Sequence, residues 1–238
     1  MGQPTERRIE VNDMTKARKD LAVGAALLTA FALWTALVQL VDVRPVGQNG
    51  TDIGFAAFNT WFHELTGVHI GIYAVTDWLG LVPVAVCLGF GALGAAQLFR
   101  CRNLLEVDPD LLLLGVHYVV VAVAYLAFEM FPVNYRPIPI DGVMEASYPS
   151  STTLLVLSVM PTLAYQLARR MKDTPAKGAA ITSIAVFSAL MVVGRLVSGV
   201  HWATDIVGSV LLAAGLFTMY RYAIARVDAN LSATRSEG

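Results

Sequence analysis

Residues 178–224 read GAAITSIAVFSALMVVGRLVSGVHWATDIVGSVLLAAGLFTMYRYAI, two long apolar runs joined by a short polar hinge. A helix needs roughly 20 apolar residues to cross about 30 Å of hydrocarbon. Each run, 178–199 and 205–224, meets that length, so the pair is expected to form a membrane hairpin. Its hinge carries Arg195, His201 and Asp205, which are costly residues at a membrane edge.

Four more segments satisfy the same criterion, at about 21–41, 75–98, 111–131 and 150–168. The chain is 56% hydrophobic and 15% charged, with a mean hydropathy of +0.59, and the apolar excess sits in these runs. The expected fold is therefore all-α, an integral membrane bundle of six helices. The first run is longer than a signal-peptide core and is read as a retained span despite Arg7, Arg8, Lys16, Arg18 and Lys19 before it. No repeat, low-complexity tract or linker divides the chain. The expected organisation is a segment 1–20, one membrane domain 21–224 and a tail 225–238.

A net charge of −1 offers no basic field for nucleic acid. Cys87 and Cys101 suggest neither a disulfide framework nor a zinc site. The basic residues instead report orientation, because cytoplasmic loops are enriched in Lys and Arg. Of 17 Lys and Arg residues, all but Arg44, Arg136 and Arg195 fall on one side of a six-span arrangement. Those fourteen occupy the N-terminal segment, the loop at Arg100 and Arg102, the loop with Arg169, Arg170, Lys172 and Lys177, and the tail with Arg221, Arg226 and Arg235. Both termini are expected in the cytoplasm, and the hinge at 195–205 on the opposite side of a plasma membrane.

The longest outer connection, 42–74, carries Phe55, Phe58, Phe62 and Leu65 at helical spacing, with Asn59, His63 and Glu64 off that stripe. A short amphipathic helix on the membrane surface between the first and second spans is expected, serving either as a lid packed on the bundle or in substrate capture.

In the hinge, His201 and Asp205 stand at i and i+4 and are expected to share a helix face. The carboxylate would then orient one imidazole nitrogen and leave the other as nucleophile or base. Arg195 supplies a fixed cation for an anionic substrate. The alternative is structural: an Arg195–Asp205 ion pair, with His201 and Trp202 anchoring the hairpin at headgroup depth. On the same side, Asn134-Tyr135-Arg136-Pro137 precedes Ser147-Tyr148-Pro149-Ser150-Ser151-Thr152-Thr153 at the start of the fourth span. Pro149 suits a first helical turn, and the serine hydroxyls lie beside unpaired N–H groups, a combination that binds phosphate or simply caps a helix.

These segments, in this order, resemble the signature of the type 2 phosphatidic acid phosphatase superfamily: Lys-x6-Arg-Pro, Pro-Ser-Gly-His and Ser-Arg-x5-His-x3-Asp. The resemblance covers the bundle from about the third span onward, with Gly194 where Ser is usual. It implies that His201 is a phosphorus-attacking nucleophile forming a phosphohistidine, that Asp205 orients it, and that Arg136 and Arg195 clamp the phosphate, with Tyr135, Pro149, Ser150 and Ser151 at the substrate. It implies no metal and no cofactor. Such clamps act through positioning and charge stabilisation.

Two departures stand at chemically important places. Glu129 occupies the position of the family's Lys, and Thr152 that of its second His, the general acid. Loss of a general acid removes about 10² to 10⁴ in rate. The proton is expected from a desolvated Glu129, from Glu145, His63 or His69, or else the substrate is a diphosphate whose phosphate leaving group needs none. His117, nearer the cytoplasmic half of its span, is a poor candidate.

The expected activity is a membrane phosphoryl transfer, most simply hydrolysis of a phospholipid or polyprenyl phosphate or diphosphate. The substrates considered are phosphatidic acid, phosphatidylglycerol phosphate and polyprenyl diphosphate. The alternatives are a lipid head-group transferase, a non-catalytic lipid-phosphate-binding relative, and a transporter, which would call for broken helices or a repeated half. The bilayer is the expected partner; no nucleic acid is expected, and no protein partner follows from the sequence.

Overall fold

A computed structural model describes residues 4–237, with side chains for 14–232. Arg7, Arg8 and Arg235, assigned above to the cytoplasmic flanks, have side chains outside the described range. Eight α-helices follow in chain order: α1 Pro4–Leu40, α2 Ala56–Thr66, α3 Ile70–Leu79, α4 Leu81–Cys101, α5 Pro109–Met130, α6 Ser151–Arg170, α7 Pro175–Val197 and α8 Ala203–Glu237. Among the described residues, six helical stretches are long and apolar enough to cross a membrane: 14–40, 70–101, 109–130, 151–170, 175–197 and 203–232.

All six expected spans are present, and the protein is an integral membrane protein. The second starts earlier than its apolar run, because α3 and α4 join at Gly80 with helical backbone angles and form one long span. The proposed boundaries at 20/21 and 224/225 fall inside α1 and α8, where the helix continues without interruption.

α6 and α8 form the middle of the bundle. Half or more of their most apolar windows is buried within the protein, against 22% or less for the other spans. An interior helix can carry polar side chains if they are paired inside. On α6, Thr162 meets the Tyr118 hydroxyl at 2.9 Å, Gln166 donates to Tyr220 Oη at 2.6 Å, and the Ser158 carbonyl lies 3.1 Å from His117 Nε2. His117 is thus occupied within the bundle core. α1 lies along α8, where small residues permit close approach: a Cβ on Gly215 would come within 2.8 Å of Leu28, and one on Gly24 within 2.8 Å of Met219.

The basic end of the bundle is tied by ion pairs. Arg169 reaches Asp110 at 3.0 Å and Asp228 at 2.9 Å, Arg170 reaches Asp108 at 2.8 Å, and Arg221 reaches Asp20 at 3.0 Å. These pairs join α1, α5, α6 and α8 at the end opposite His201. Pro109 and Pro175 open α5 and α7 after the capping residues Asp108 and Thr174, whose side chains accept first-turn N–H groups.

The expected surface helix is α2. The polar residue Asn59 is buried and Phe58, Trp61 and Leu65 are exposed. Asn59 donates to Thr204 Oγ1 at 3.0 Å and to the Gly54 carbonyl at 2.9 Å, so the polar face is the one that packs onto the bundle. In a bilayer environment the exposed side is the natural place for Phe58, Trp61 and Leu65, which inverts the usual water-soluble pattern.

Candidate functional site

The hinge between α7 and α8 closes through Gly199, which has a positive φ of 73°. A Cβ there would lie 2.2 Å from the Gly67 carbonyl oxygen, so only glycine lets the loop pass this close to the end of α2. His201 follows in the loop, and Asp205 lies in the first turn of α8.

Asp205 is fully buried and held by donors from three directions. Asn134 Nδ2 donates to Oδ1 at 3.0 Å, while the Trp202 backbone N–H at 2.9 Å and the Ser147 hydroxyl donate to Oδ2. The expected direct His201–Asp205 hydrogen bond does not form. His201 precedes the helix, and its Nδ1 is 3.8 Å from Asp205 Oδ2, beyond hydrogen-bond range. Ser147 fills the gap: its hydroxyl oxygen and its backbone carbonyl oxygen each lie 3.1 Å from Nδ1. A carbonyl can only accept, so Nδ1 carries the proton and Nε2 the lone pair. Burial pushes the imidazole down to about 4, against the raising effect of Asp205, and the charges of Arg136 and Arg195 act with burial. His201 is neutral at pH 7.

Arg136 is placed by a short antiparallel pairing. Its N–H donates to the Glu145 carbonyl at 3.1 Å, and the Ser147 N–H donates to the Asn134 carbonyl at 3.1 Å. Trp202 Nε1 donates to the Tyr135 carbonyl at 2.9 Å, joining this pairing to the hinge. Tyr135 therefore contributes backbone to the site framework. The Arg136 guanidinium pairs with Glu145 at 3.0 Å. Glu145, considered above as an acid, is thus a partner of the clamp. Arg195, in the last turn of α7, is 1% exposed. Its Nη2 donates to Asp77 at 3.2 Å and to the Thr152 hydroxyl, and Nη1 reaches Thr76 at 3.5 Å. Arg195 does not pair with Asp205; its ion-pair partner is Asp77. Both guanidiniums stand over the Tyr73 ring, at 4.8 Å for Arg195 and 5.7 Å for Arg136.

Eight buried side-chain polar atoms lack a partner among the described residues, and five belong here: Oδ1 of Asn134, Nε and Nη1 of Arg136, Nε of Arg195 and Nε2 of His201. Buried polar atoms are rarely left unpaired without a reason. Three guanidinium donor atoms and one imidazole lone pair, from three segments, are thus buried without partners, and the charges of both arginines act on His201.

α6 begins at Ser151 with Ser150 as its cap, so Pro149 lies one residue before the cap and not in the first turn. The Ser150 hydroxyl makes no capping bond and donates instead to Thr153 Oγ1 at 3.1 Å. The first-turn N–H groups have no partner within the helix, and Ser151 borders two cavities. One, of about 200 Å³, is lined by Glu129, Arg136, Glu145, Pro149 and Ser151. The other, of about 480 Å³ and mostly apolar, is lined by Asp77, Tyr125, Ser151, Thr152 and Leu155 among others. Glu129 is exposed and lines the smaller of these cavities with Arg136. His63 packs against the Trp202 ring at 5.7 Å and His69 bonds the Thr66 carbonyl at 2.8 Å; neither lines these cavities. Among the described residues, no three His, Cys, Asp or Glu side chains gather in a metal-binding group.

The PAP2 superfamily model matches residues 109–228, half of the chain, and this stretch contains Arg136, Thr152, Arg195, His201 and Asp205. The chain belongs to the PAP2 superfamily. A solved PAP2 structure with the same fold is the transmembrane PAP2-type phosphatidylglycerolphosphate phosphatase from Bacillus subtilis. It is 19% identical, with a TM-score of 0.52, over 83% of this chain and 94% of that one. No curated protein matches the chain.

Within this PAP2 chain, Thr152, which the motif resemblance sets at the second histidine, accepts a hydrogen bond from Arg195. Several participants were not singled out from the sequence. Asn134 holds Asp205 and Asn59 fixes Thr204 beside it, while Ser147, named above only for a hydroxyl near the start of the fourth span, bridges His201 and Asp205. Tyr73, Thr76 and Asp77 come from α3, before the matched residues. Asp77 carried a usable signal, being an acidic residue inside an apolar span.

Proposed function

We propose that this protein is a metal-independent membrane phosphatase that hydrolyses a lipid phosphate or diphosphate through a phosphohistidine on His201. The observation that carries this reading is His201 Nε2, a buried lone pair facing no partner, with the unpaired N–H groups of Arg136 and Arg195 in the same receptor. The phosphoryl oxygens take those guanidinium donors and the N–H groups at the start of α6. Charge developing on the transferred group is then met by fixed donors. His201 Nε2 attacks phosphorus, the proton stays on Nδ1 and continues to be donated to the Ser147 carbonyl oxygen, and Asp205 stabilises the imidazolium-like ring through Ser147. Water then releases phosphate and restores His201.

The distribution of 14 of 17 basic residues at the other end supports an extracytoplasmic site, with both termini in the cytoplasm of a plasma-membrane protein. The substrate is amphiphilic because the site opens beside the apolar cavity between α4, α5 and α6. Thr152 has no proton to give at neutral pH, which favours polyprenyl diphosphate over the monoesters phosphatidic acid and phosphatidylglycerol phosphate.

Purified protein in lipid nanodiscs, assayed for phosphate release from these three lipid classes, tests the reading. Release that is abolished in His201→Ala is the expected result. Lipid binding without release, unchanged in His201→Ala, would show a non-catalytic relative, and a new lipid product without free phosphate would show a transferase.

A further inference from the structure

A phosphohistidine must be attacked by a water that gives up a proton, and Thr152, at the family's histidine position, cannot accept one at neutral pH. The nearest carboxylate to Thr152 that the structure ties to the clamp is Asp77. Its Oδ1 accepts from Arg195 Nη2 at 3.2 Å, and the same nitrogen donates to Thr152 Oγ1, so Asp77 and Thr152 are held side by side. The Asp77 side chain is 56% exposed, and its second oxygen accepts no hydrogen bond from a described residue. Asp77 and Thr152 line the same 480 Å³ apolar cavity, together with Ser151 at the phosphate-facing start of α6.

The location of Asp77 is fixed by its helix. Tyr73 and Asp77 stand at i and i+4 on α3, the spacing that shares a face, and with Thr76 they all contact Arg195. Close packing holds that face: a Cβ on Gly194 of α7 would come within 2.7 Å of Thr76. Glu129 has no comparable tie, since it is exposed and makes no hydrogen bond or ion pair with a described residue.

We propose that Asp77 is the general base of the hydrolytic step, supplying from the second span the proton acceptor that Thr152 replaces in the second motif. The proposal rests on the phosphohistidine reading above. With a diphosphate substrate, the Nε2–P bond forms as the bridging P–O bond breaks, and the departing phosphate keeps the electron pair without needing a proton. Water then enters on the side the leaving group has vacated, next to Arg195, Thr152 and Asp77. Its oxygen bonds to phosphorus, the Nε2–P electron pair returns to His201, and one water proton passes to the Asp77 carboxylate. Inorganic phosphate departs, and Asp77 returns the proton to solvent through its exposed side.

Asp77→Asn tests this, because the amide keeps the shape and can still accept from Arg195 but cannot take a proton. The substrate is farnesyl diphosphate labelled in its terminal phosphate, followed by rapid quench with protein in nanodiscs. The expected result is a burst of farnesyl monophosphate equal to the enzyme present, label retained on His201 as an acid-labile adduct, and steady-state phosphate release lower by about 10² or more. Asp77→Glu should recover part of the steady-state rate. Two results overturn the proposal: wild-type turnover in Asp77→Asn, or equal loss of burst and turnover, which would make Asp77 a positioning residue for Arg195. A wild-type protein that turns over without ever labelling His201 removes the phosphohistidine reading itself, and this proposal with it.

Discussion

His201 Nδ1 stands 3.1 Å from the backbone carbonyl oxygen of Ser147, and this contact, not the neighbouring carboxylate, fixes the imidazole tautomer. The Ser147 side chain does separate work by donating to Asp205. The two functions can be separated because Ser147→Ala keeps the carbonyl and removes the hydroxyl. A hydrogen bond to a charged group contributes about 1.5–3 kcal/mol, and Asp205 retains Asn134 and the Trp202 N–H. Ser147→Ala should therefore lower the melting temperature in detergent and reduce kcat by about tenfold while phosphoenzyme formation persists. A variant that forms no phosphoenzyme would place the tautomer control in the hydroxyl.

The depressed His201 value sets an acid limit. In the proposed reaction the neutral His201 is the attacking form, so activity should fall as pH drops through the folded value of about 4, well below the ordinary 6.5. The same shift links to stability. Between about 6.5 and 4 the unfolded chain holds the His201 proton and the folded chain does not, so this residue's contribution declines as pH falls through that window. A pH profile of the farnesyl monophosphate burst should show no inflection near 6.5. An inflection there would mean that His201 is solvated in the working protein.

Thr152 lines a cavity of about 480 Å³, so a larger side chain has space on that side, although Gly80 lies close to its methyl group. Thr152→His restores a titratable group where a monoester leaving oxygen needs a proton. The expected outcome is a gain of about 10² in kcat/KM for phosphatidic acid with little change for farnesyl diphosphate. An equal gain for both would point to altered Arg195 positioning, since Thr152 also binds that guanidinium.

The six spans were legible because membrane thickness imposes a length and a composition that can be counted along the chain. Arg195, His201 and Asp205 were legible because charge in such a place is costly. Other features depend on packing between distant segments. The Ser147 bridge links residues 54 and 58 positions apart, and the Asp77–Arg195 pair links residues 118 apart. Which face of α2 packs on the bundle stayed open in the sequence, because an apolar stripe reads the same whether the protein interior or the lipid receives it.

The hinge that presents His201 depends on two glycines that look alike in backbone angle but differ in surroundings. Gly199 has φ of 73° and would place a Cβ 2.2 Å from the Gly67 carbonyl oxygen, a main-chain atom that cannot swing aside. Gly67 has φ of 70° and nothing within 4 Å of its own Cβ position. Gly67→Ala therefore meets a conformational penalty alone, about 1–3 kcal/mol, because φ of 70° with ψ of −165° is a backbone region that essentially only glycine adopts. Gly199→Ala meets a positive-φ penalty and a backbone collision that pushes the hinge away from α2. The expected result is a modest loss of thermal stability with near-normal kcat for Gly67→Ala, and a larger stability loss with kcat reduced at least tenfold for Gly199→Ala. Equal effects from the two substitutions would mean that the hinge yields at no cost, and that its approach to α2 does not position His201.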